Sequence, residues 1–245
     1  MFHFFSTKHF LVDSLSGIVD IHNHVLPGID DGAKNIEESK ALLQQFNNLG
    51  ITELVATPHI MLDVYPNTSS TINTAYCLLK NGLSNGPLDH MVITSAAEHL
   101  IAANFHEMLQ QKQVMTIKEQ YLLVEMSYLQ PSINFEEAIQ QTKEFGLYPI
   151  LAHPERYGYL HQHLPTLKKY KDQGVLFQLN TLSLTSYYGS AVQKMALKLL
   201  ALGWYDFIAS DAHNTNQLEV IKNIKLPKKI MTQLQGVIDK TKGSF

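Results

Sequence analysis

The sequence predicts an α/β fold assembled from parallel strand–helix units, and three observations point there. Short apolar runs alternate with longer stretches of helical periodicity. Glycine closes one helical stretch after another, at Gly50, Gly146, Gly174 and Gly203, and a strand-like run follows each. The chain has 245 residues, a size at which (β/α) barrels occur as single domains.

The elements follow in order. A strand is expected over 18–21, after Gly17. Residues 36–49 read as a helix with Ala41, Leu42, Phe46 and Leu49 on one face. A strand over 53–57 ends at Pro58, and a helix over 71–83 ends at Ser84-Asn85-Gly86-Pro87. Strands are expected over 91–96 and 120–126. Three helix–strand pairs then repeat: 135–145 with 148–152, 164–173 with 175–179, and 191–202 with 207–209. The tail is helical in parts around Pro227. A sandwich or a helix bundle does not fit this alternation. Residues 17–245 are expected to form one domain, with 1–16 as an N-terminal extension whose Phe residues pack on the domain or on another subunit. That arm leaves a homo-oligomer open.

Composition excludes several functions. The chain is 45% hydrophobic, enough for a sizeable core without disulfides. Its net charge is −3 with no basic cluster, which argues against nucleic acid and anionic membrane surfaces. No run approaches the ~18 apolar residues of a membrane span. The apolar N-terminus lacks a basic start and is broken by Lys8 and His9, so a signal peptide is not expected. The single cysteine, Cys77, cannot form an internal disulfide, which suits a reducing, cytoplasmic location. It is expected to be a buried helix residue, and position 83, six residues on, is Leu rather than the Arg that thiol phosphatases require.

Polar residues stand at the ends of the strands: His22 and His24, His59, Glu98, Glu125, His153, Asn180, then Asp211 and His213. From Glu98 onward the gaps are 27, 28, 27 and 31 residues, about one strand-plus-helix unit each. Parallel strands bring all their C-terminal ends to one rim, so these scattered residues would converge. Imidazole and carboxylate are ligands for borderline to hard divalent metals. Period-two alternation places both imidazoles of His22-x-His24 on one face, and Asp211-x-His213 repeats the arrangement at the last strand. Asp30 is expected in a solvated Asp-Gly turn. His99 should face away from Glu98 and be structural, while His161-x-His163 opens a helix and is a weak second metal pair. Arg156, the only arginine, lies three residues past His153; its planar fork suits a phosphate or a carboxylate. Tyr157, Tyr159, Tyr187 and Tyr188 are rim or wall residues, with Tyr157 and Asn180 as candidate substrate contacts.

These blocks carry a resemblance. Asp20-Ile21-His22-Asn23-His24, Asp30-Asp31-Gly32-Ala33-Lys34, Thr57-Pro58-His59, Ala97-Glu98, Leu123-Val124-Glu125, His153-Pro154-Glu155-Arg156-Tyr157 and Ser210-Asp211-Ala212-His213 resemble the polymerase-and-histidinol-phosphatase (PHP) superfamily. Within it, the chain looks similar to bacterial capsular and exopolysaccharide protein-tyrosine phosphatases. The resemblance implies a distorted seven-stranded (β/α) barrel of TIM-like type carrying three divalent metals, most often manganese, with Fe or Zn as alternatives. It implies His22, His24, Glu98 and Asp211 on the first metal, Glu98 shared with a second that Glu125 and His153 complete, and Asp31, His59 and His213 on the third.

The resemblance also implies phosphotyrosine hydrolysis by a metal-bridged hydroxide. Arg156 would grip the phosphate, and His59 and His213 would sit at the reacting centre but not serve as acids while bound to metal. Its implied partner is the Tyr-rich tail of a polysaccharide-export tyrosine kinase. Rival readings are a PHP phosphoesterase acting on histidinol phosphate, an amidohydrolase, and a non-catalytic module. The amidohydrolase reading lacks a strand-end Lys, and the retained ligand-type positions oppose the non-catalytic one.

Overall fold

A computed structural model describes residues 8–245. Phe2, Phe4 and Phe5 of the expected arm lie outside the described residues. The described chain begins with β1 (Lys8–Phe10) and a short helix α1 (Val12–Leu15). Leu11 and Leu15 are buried in the main core, and the Leu11 N–H donates to the Ile224 carbonyl. This segment therefore docks on the domain through Leu11 and Leu15, while Lys8–Phe10 stay exposed.

β2 (Val19–Asp20) leads to α2 (Ile36–Asn48), which starts where the Asn35 side chain accepts the Glu38 N–H and buries Leu42, Leu43 and Phe46. β3 (Glu53–Ala56) and β4 (His59–Ile60) occupy the single strand expected over 53–57 and its extension; Pro58, which has no N–H, stands at the break. α3 (Ser69–Leu83) begins two residues before its expected start, because Thr68 and Thr71 form a reciprocal capping box. Its buried stripe is Ile72, Ala75, Leu79 and Leu83. Cys77 falls on the opposite side and is exposed, which corrects the expectation of a buried thiol.

β5 (Val92–Ser95), β6 (Glu98–Leu100), α4 (Phe105–Gln110) and β7 (Tyr121–Glu125) follow. Then come α5 (Phe135–Glu144), β8 (Tyr148–Ala152), α6 (Leu164–Asp172), β9 (Leu176–Asn180), α7 (Ser190–Ala201) and β10 (Phe207–Ala209). The tail supplies α8 (Thr215–Lys222), β11 (Lys225–Pro227) and α9 (Lys228–Ser244).

The fold is α/β with parallel sheets. One sheet has six strands in the order β10-β9-β8-β7-β6-β4, and a second has the order β2-β3-β5; every pairing in both is parallel. A small antiparallel ribbon pairs β1 with β11. Hydrogen bonding runs on across the breaks: Ala96 N–H donates to Ala56 O at 2.8 Å, and Glu98 N–H to Pro58 O at 3.1 Å. At the far edge, Asn23 and Ala212 form a parallel bridge, His24 N–H reaches Ala212 O, and Asp211 N–H reaches His22 O. Ile21, Val55, Ala96, Leu123, Ile150 and Phe207, drawn from different strand segments, meet in a compact apolar cluster apart from the main core under the helices.

Candidate metal centre

The centre lies at or beyond the ends of β2, β7, β8 and β10 and at the breaks that divide β3 from β4 and β5 from β6, where His59 and Glu98 open β4 and β6. Asp20 fixes this rim: its carboxylate accepts N–H groups from His22 and Ser210 and the Asn23 amide, tying the end of β2 to the end of β10. His153 and Asp211 both take positive φ, at 36° and 51°, which turns the chain sharply just after β8 and β10.

All nine sequence-expected ligands converge, and their donor atoms fall into four overlapping groups. These are His24, Asp31, His59 and His213; His22, His24 and Asp211; His22, Glu98 and His153; and His59, Glu98 and Glu125. Within each group the donor atoms lie within 4.8 Å of one another. Glu98 is the hub. Its Oε2 is 3.2 Å from His22 Nε2 and 3.0 Å from His59 Nδ1, and its Oε1 is 3.1 Å from His153 Nε2. Glu125 groups with His59 and Glu98, and His153 groups with His22 and Glu98. The division implied by the resemblance instead set Glu125 beside His153.

The imidazoles are oriented from behind. His22 Nδ1–H donates to Gln178 Oε1 at 3.0 Å, His24 Nδ1–H to Asp30 Oδ2 at 2.8 Å, and His213 Nδ1–H to the Asp211 carbonyl at 3.0 Å. Each ring then turns Nε2 into the cluster, an arrangement common to metal-binding histidines. Asp30 is thus a buried orienting group, which corrects the expected solvated turn; it also accepts the Gly32 N–H. Gly32 lets that turn lie on His24, since a Cβ there would stand 2.1 Å from the His24 carbonyl oxygen.

Three buried atoms test whether these residues suit metal ions. Among the described residues, His59 Nδ1, Glu98 Oε2 and Glu125 Oε1 have no hydrogen-bond partner. Yet His59 Nδ1 lies 3.0 Å from each of the two oxygens. Buried polar atoms without partners are costly, and a cation held by these residues would offset that cost. The donor set, imidazole plus carboxylate, matches divalent transition metals.

The electrostatics agree. Burial opposes charge on His22, but Glu98 and Asp211 outweigh it and push the ring up to about 10. Burial, then the charge of Glu98, raises Glu125 to about 7. Burial, then Arg156, lowers His153 to about 4. Burial would raise Asp211, but His22 and other cations around it hold it well below the usual carboxylate range. The packed carboxylates therefore draw positive charge into the cluster.

Arg156 reaches the same place. Its Nη1 donates to Asp211 Oδ2 at 2.6 Å. Glu155 points inward, accepting from Asn180 N–H and Tyr205 O–H. Asn180 and Tyr157 are buried and engaged internally. The Asn180 amide donates to Asp211 Oδ2, and Tyr157 O–H accepts the Met126 N–H. These bonds correct the expectation that either side chain offers a free group to substrate.

His99 faces away from the cluster, donating Nδ1–H to Leu123 O and accepting the Met115 N–H. His161 donates to the Glu155 carbonyl and joins none of the ligand groups among the described residues. Sequence reading missed Tyr128, whose hydroxyl is 3.3 Å from His153 Nε2, and Tyr65, whose ring stacks on His59. No local motif marks either one.

Fold and site together define an α/β protein with a buried histidine–carboxylate centre, able to hold divalent ions, at the ends of parallel strands. The chain belongs to the family described as "Capsular polysaccharide synthesis, CpsB/CapC", which it matches over residues 18–225. It is 32% identical over 215 residues to a putative tyrosine-protein phosphatase CapC of Staphylococcus aureus, spanning 87% of this chain and 84% of that one. It is 27% identical to the tyrosine-protein phosphatase YwqE of Bacillus subtilis, over 80% of this chain and 78% of that one. In three dimensions it matches a chain from the crystal structures of YwqE from Bacillus subtilis and CpsB from Streptococcus pneumoniae, described as metal-dependent tyrosine phosphatases. That match has TM-score 0.76 and 26% identity, over 82% and 81% of the two chains. An amidohydrolase from Mycoplasma synoviae shares the fold at 12% identity and TM-score 0.54, over 94% and 88%.

Proposed function

We propose that this chain is a metal-dependent protein-tyrosine phosphatase. The observation that carries the reading is the reach of the lone arginine into the ligand cluster, 2.6 Å from Asp211. A guanidinium beside a multi-metal site suits a phosphoryl dianion. The relatives named as tyrosine phosphatases support the reading, and none favours histidinol phosphate.

The nine ligands are assigned to three divalent ions, with Mn favoured and Fe or Zn as alternatives. The family resemblance would give His22, His24, Glu98 and Asp211 to the first, Glu98 with Glu125 and His153 to the second, and Asp31, His59 and His213 to the third, whereas the donor atoms group Glu125 with His59 and Glu98, and His153 with His22 and Glu98. Bound ions would supply Lewis acidity and water activation at neutral pH. The chain's own residues bind and orient. Arg156 holds phosphoryl oxygens, Gln178 and Asp30 fix the tautomers of His22 and His24, and Asn180 steadies Asp211. In hydrolysis the bond between phosphorus and the tyrosine oxygen breaks and water supplies the new oxygen, giving inorganic phosphate and tyrosine. A phenolate leaves without strong acid help, consistent with His59 and His213 serving as ligands.

The fold reading that belongs with this function is a distorted seven-stranded barrel: β2, β3 with β4, β5 with β6, β7, β8, β9 and β10. The Asn23–Ala212 bridge and the shared apolar cluster support it. We assign residues 17–245 to one catalytic domain and 1–16 to an N-terminal extension. The proposed partner is the phosphotyrosine-bearing tail of a polysaccharide-export kinase, met in the cytoplasm; a homo-oligomer is tested by solution mass. Among the described residues no helix is long and apolar enough to cross a membrane.

The test is elemental analysis with turnover of a phosphotyrosine peptide and of histidinol phosphate, before and after chelation. Metal-dependent turnover favouring the peptide is expected. Activity that survives full demetallation overturns the mechanism, and preference for histidinol phosphate overturns the substrate.

A further inference from the structure

Arg156 is held in place by more than its ion pair. Its guanidinium carbon lies over the Tyr128 ring at 4.7 Å and over the Tyr188 ring at 4.2 Å. Tyr128 stands on the loop after β7, and Tyr188 precedes α7. Each ring is anchored to the metal centre. Tyr128 stacks on His153 at 5.7 Å and 26°, with its hydroxyl 3.3 Å from His153 Nε2. Tyr188 O–H accepts from Asn180 Nδ2 at 3.3 Å, and that same amide nitrogen donates to Asp211 Oδ2. Asp211 Oδ2 also accepts from Arg156. Arg156, Asp211, Asn180 and Tyr188 thus form a closed ring of contacts, with Tyr128 bracing the guanidinium from His153.

A long arginine side chain loses substantial rotamer freedom when it is fixed. Ring faces attract the cation but form no directed bonds with its N–H groups, so the guanidinium keeps its edge for acceptors. We propose that Tyr128 and Tyr188 are positioning residues that preset Arg156 for phosphate. This rests on the reading of Arg156 as the phosphate grip. Because the rings act through Arg156, their loss should appear as weaker phosphate binding, with metal content retained.

The test is calorimetric titration of inorganic phosphate into metal-loaded protein, which needs no catalytic turnover. Tyr188→Leu and Tyr128→Leu should each weaken phosphate about 3- to 30-fold, the scale of a partly desolvated cation–π contact. Tyr188→Phe and Tyr128→Phe keep the ring and should stay within about threefold of wild type. Combining either Leu change with Arg156→Ala should add nothing to Arg156→Ala alone. Tyr128 is half-exposed on its loop, so its variants keep the test open if a Tyr188 variant does not fold. Unchanged affinity in both Leu variants, equal loss in the Phe and Leu variants, or full additivity with Arg156→Ala overturns the proposal. If Arg156→Ala itself binds phosphate like wild type, the assignment of the grip fails instead, and the proposal falls with it.

Discussion

Gln178 Oε1 accepts the Nδ1–H of His22 at 3.0 Å, and the far nitrogen of that ring faces both Glu98 and Asp211 at 3.2 Å. One buried amide thus sets the tautomer and angle of a ring shared by two ligand groups. Replacing the amide with an apolar side chain of similar size, in Gln178→Leu, frees the ring to choose the other tautomer. Such orienting partners are worth about 10- to 100-fold in metal affinity. Chelator competition with the purified variant should show that loss while circular dichroism stays native-like. Affinity equal to wild type would mean that packing alone orients His22.

Metal removal should act on stability as well as on turnover. The cluster buries Glu98, Glu125 and Asp211 together, and three of its polar atoms have no hydrogen-bond partner among the described residues. A ligand that binds only the folded state stabilises it by about 2.7 kcal/mol at a free concentration one hundred times its dissociation constant. Thermal melts should therefore shift upward with added divalent ion and downward with chelator, in step with aryl-phosphate turnover. A melting temperature indifferent to chelation contradicts a metal centre at these residues.

How much of this was legible in the sequence depends on distance along the chain. Glycine stops and period-three-to-four faces marked α2, α5 and α7, because those signals are local. The convergence of His22, Glu125 and His153 at or past strand ends is legible, since parallel topology turns a regular spacing into a shared rim; Glu98 joins them from the start of β6, across a break the spacing does not show. Asp30 departs from expectation because Asp-Asp-Gly has the local pattern of a solvated turn, while its burial comes from His24 and the His59 backbone, set by tertiary packing. Cys77 differs from expectation because helix formation alone does not fix which face is buried; that face is set by Ile72, Ala75, Leu79 and Leu83. Tyr128 left no trace, as a loop aromatic has no periodicity to betray it.

His99 gives a pH dependence of stability. Burial lowers its pKa to about 4, and the neutral ring serves as both donor and acceptor, to Leu123 O and from Met115 N–H. The folded value lies below the ordinary 6.5, so the unfolded chain binds the proton more readily. The stability held above about pH 6.5 is thus lost as pH falls toward 4, by about 3 kcal/mol at most. Denaturant titrations of wild type and His99→Gln across this range should diverge, with the variant less stable at neutral pH but less sensitive to acid. Parallel curves would assign the acid sensitivity elsewhere.

Asp206 ties three elements together outside the site. It pairs with Lys171 of α6 and Lys240 of α9 and accepts the Phe177 N–H of β9 at 2.8 Å. Asp206→Ala strands the Phe177 N–H and removes the partner of the mostly buried Lys171 ammonium, while half-exposed Lys240 turns to water; this should cost about 2 kcal/mol. For a chain of this length that is a melting temperature lower by about 4–8 °C. Metal content and phosphate affinity should not change, because no ligand group includes this residue. A loss of metal along with stability would show that the α6–α9 tie reaches the rim.

Glu98 is the position where a single charge matters most. Its two oxygens stand between 3.0 and 3.2 Å from nitrogens of His22, His59 and His153, and two of the four ligand groups contain it. Its backbone is fixed independently, by the Pro58 carbonyl and by the pairing of β6 with β4 and β7. Glu98→Gln therefore preserves shape and strand pairing while replacing one ligating oxygen with an N–H₂ that repels a cation. If Glu98 is shared between ions, the variant should lose more than one equivalent of metal per chain and at least about 100-fold in aryl-phosphate turnover. Asp31→Asn provides the contrast. Asp31's side chain is 51% exposed and belongs to one ligand group, with His59 and His213 at 3.4 and 3.5 Å. That change should cost one equivalent, with the remaining ions held. Elemental analysis of both variants after gel filtration separates the cases, and equal losses from the two substitutions would remove Glu98 as the shared ligand.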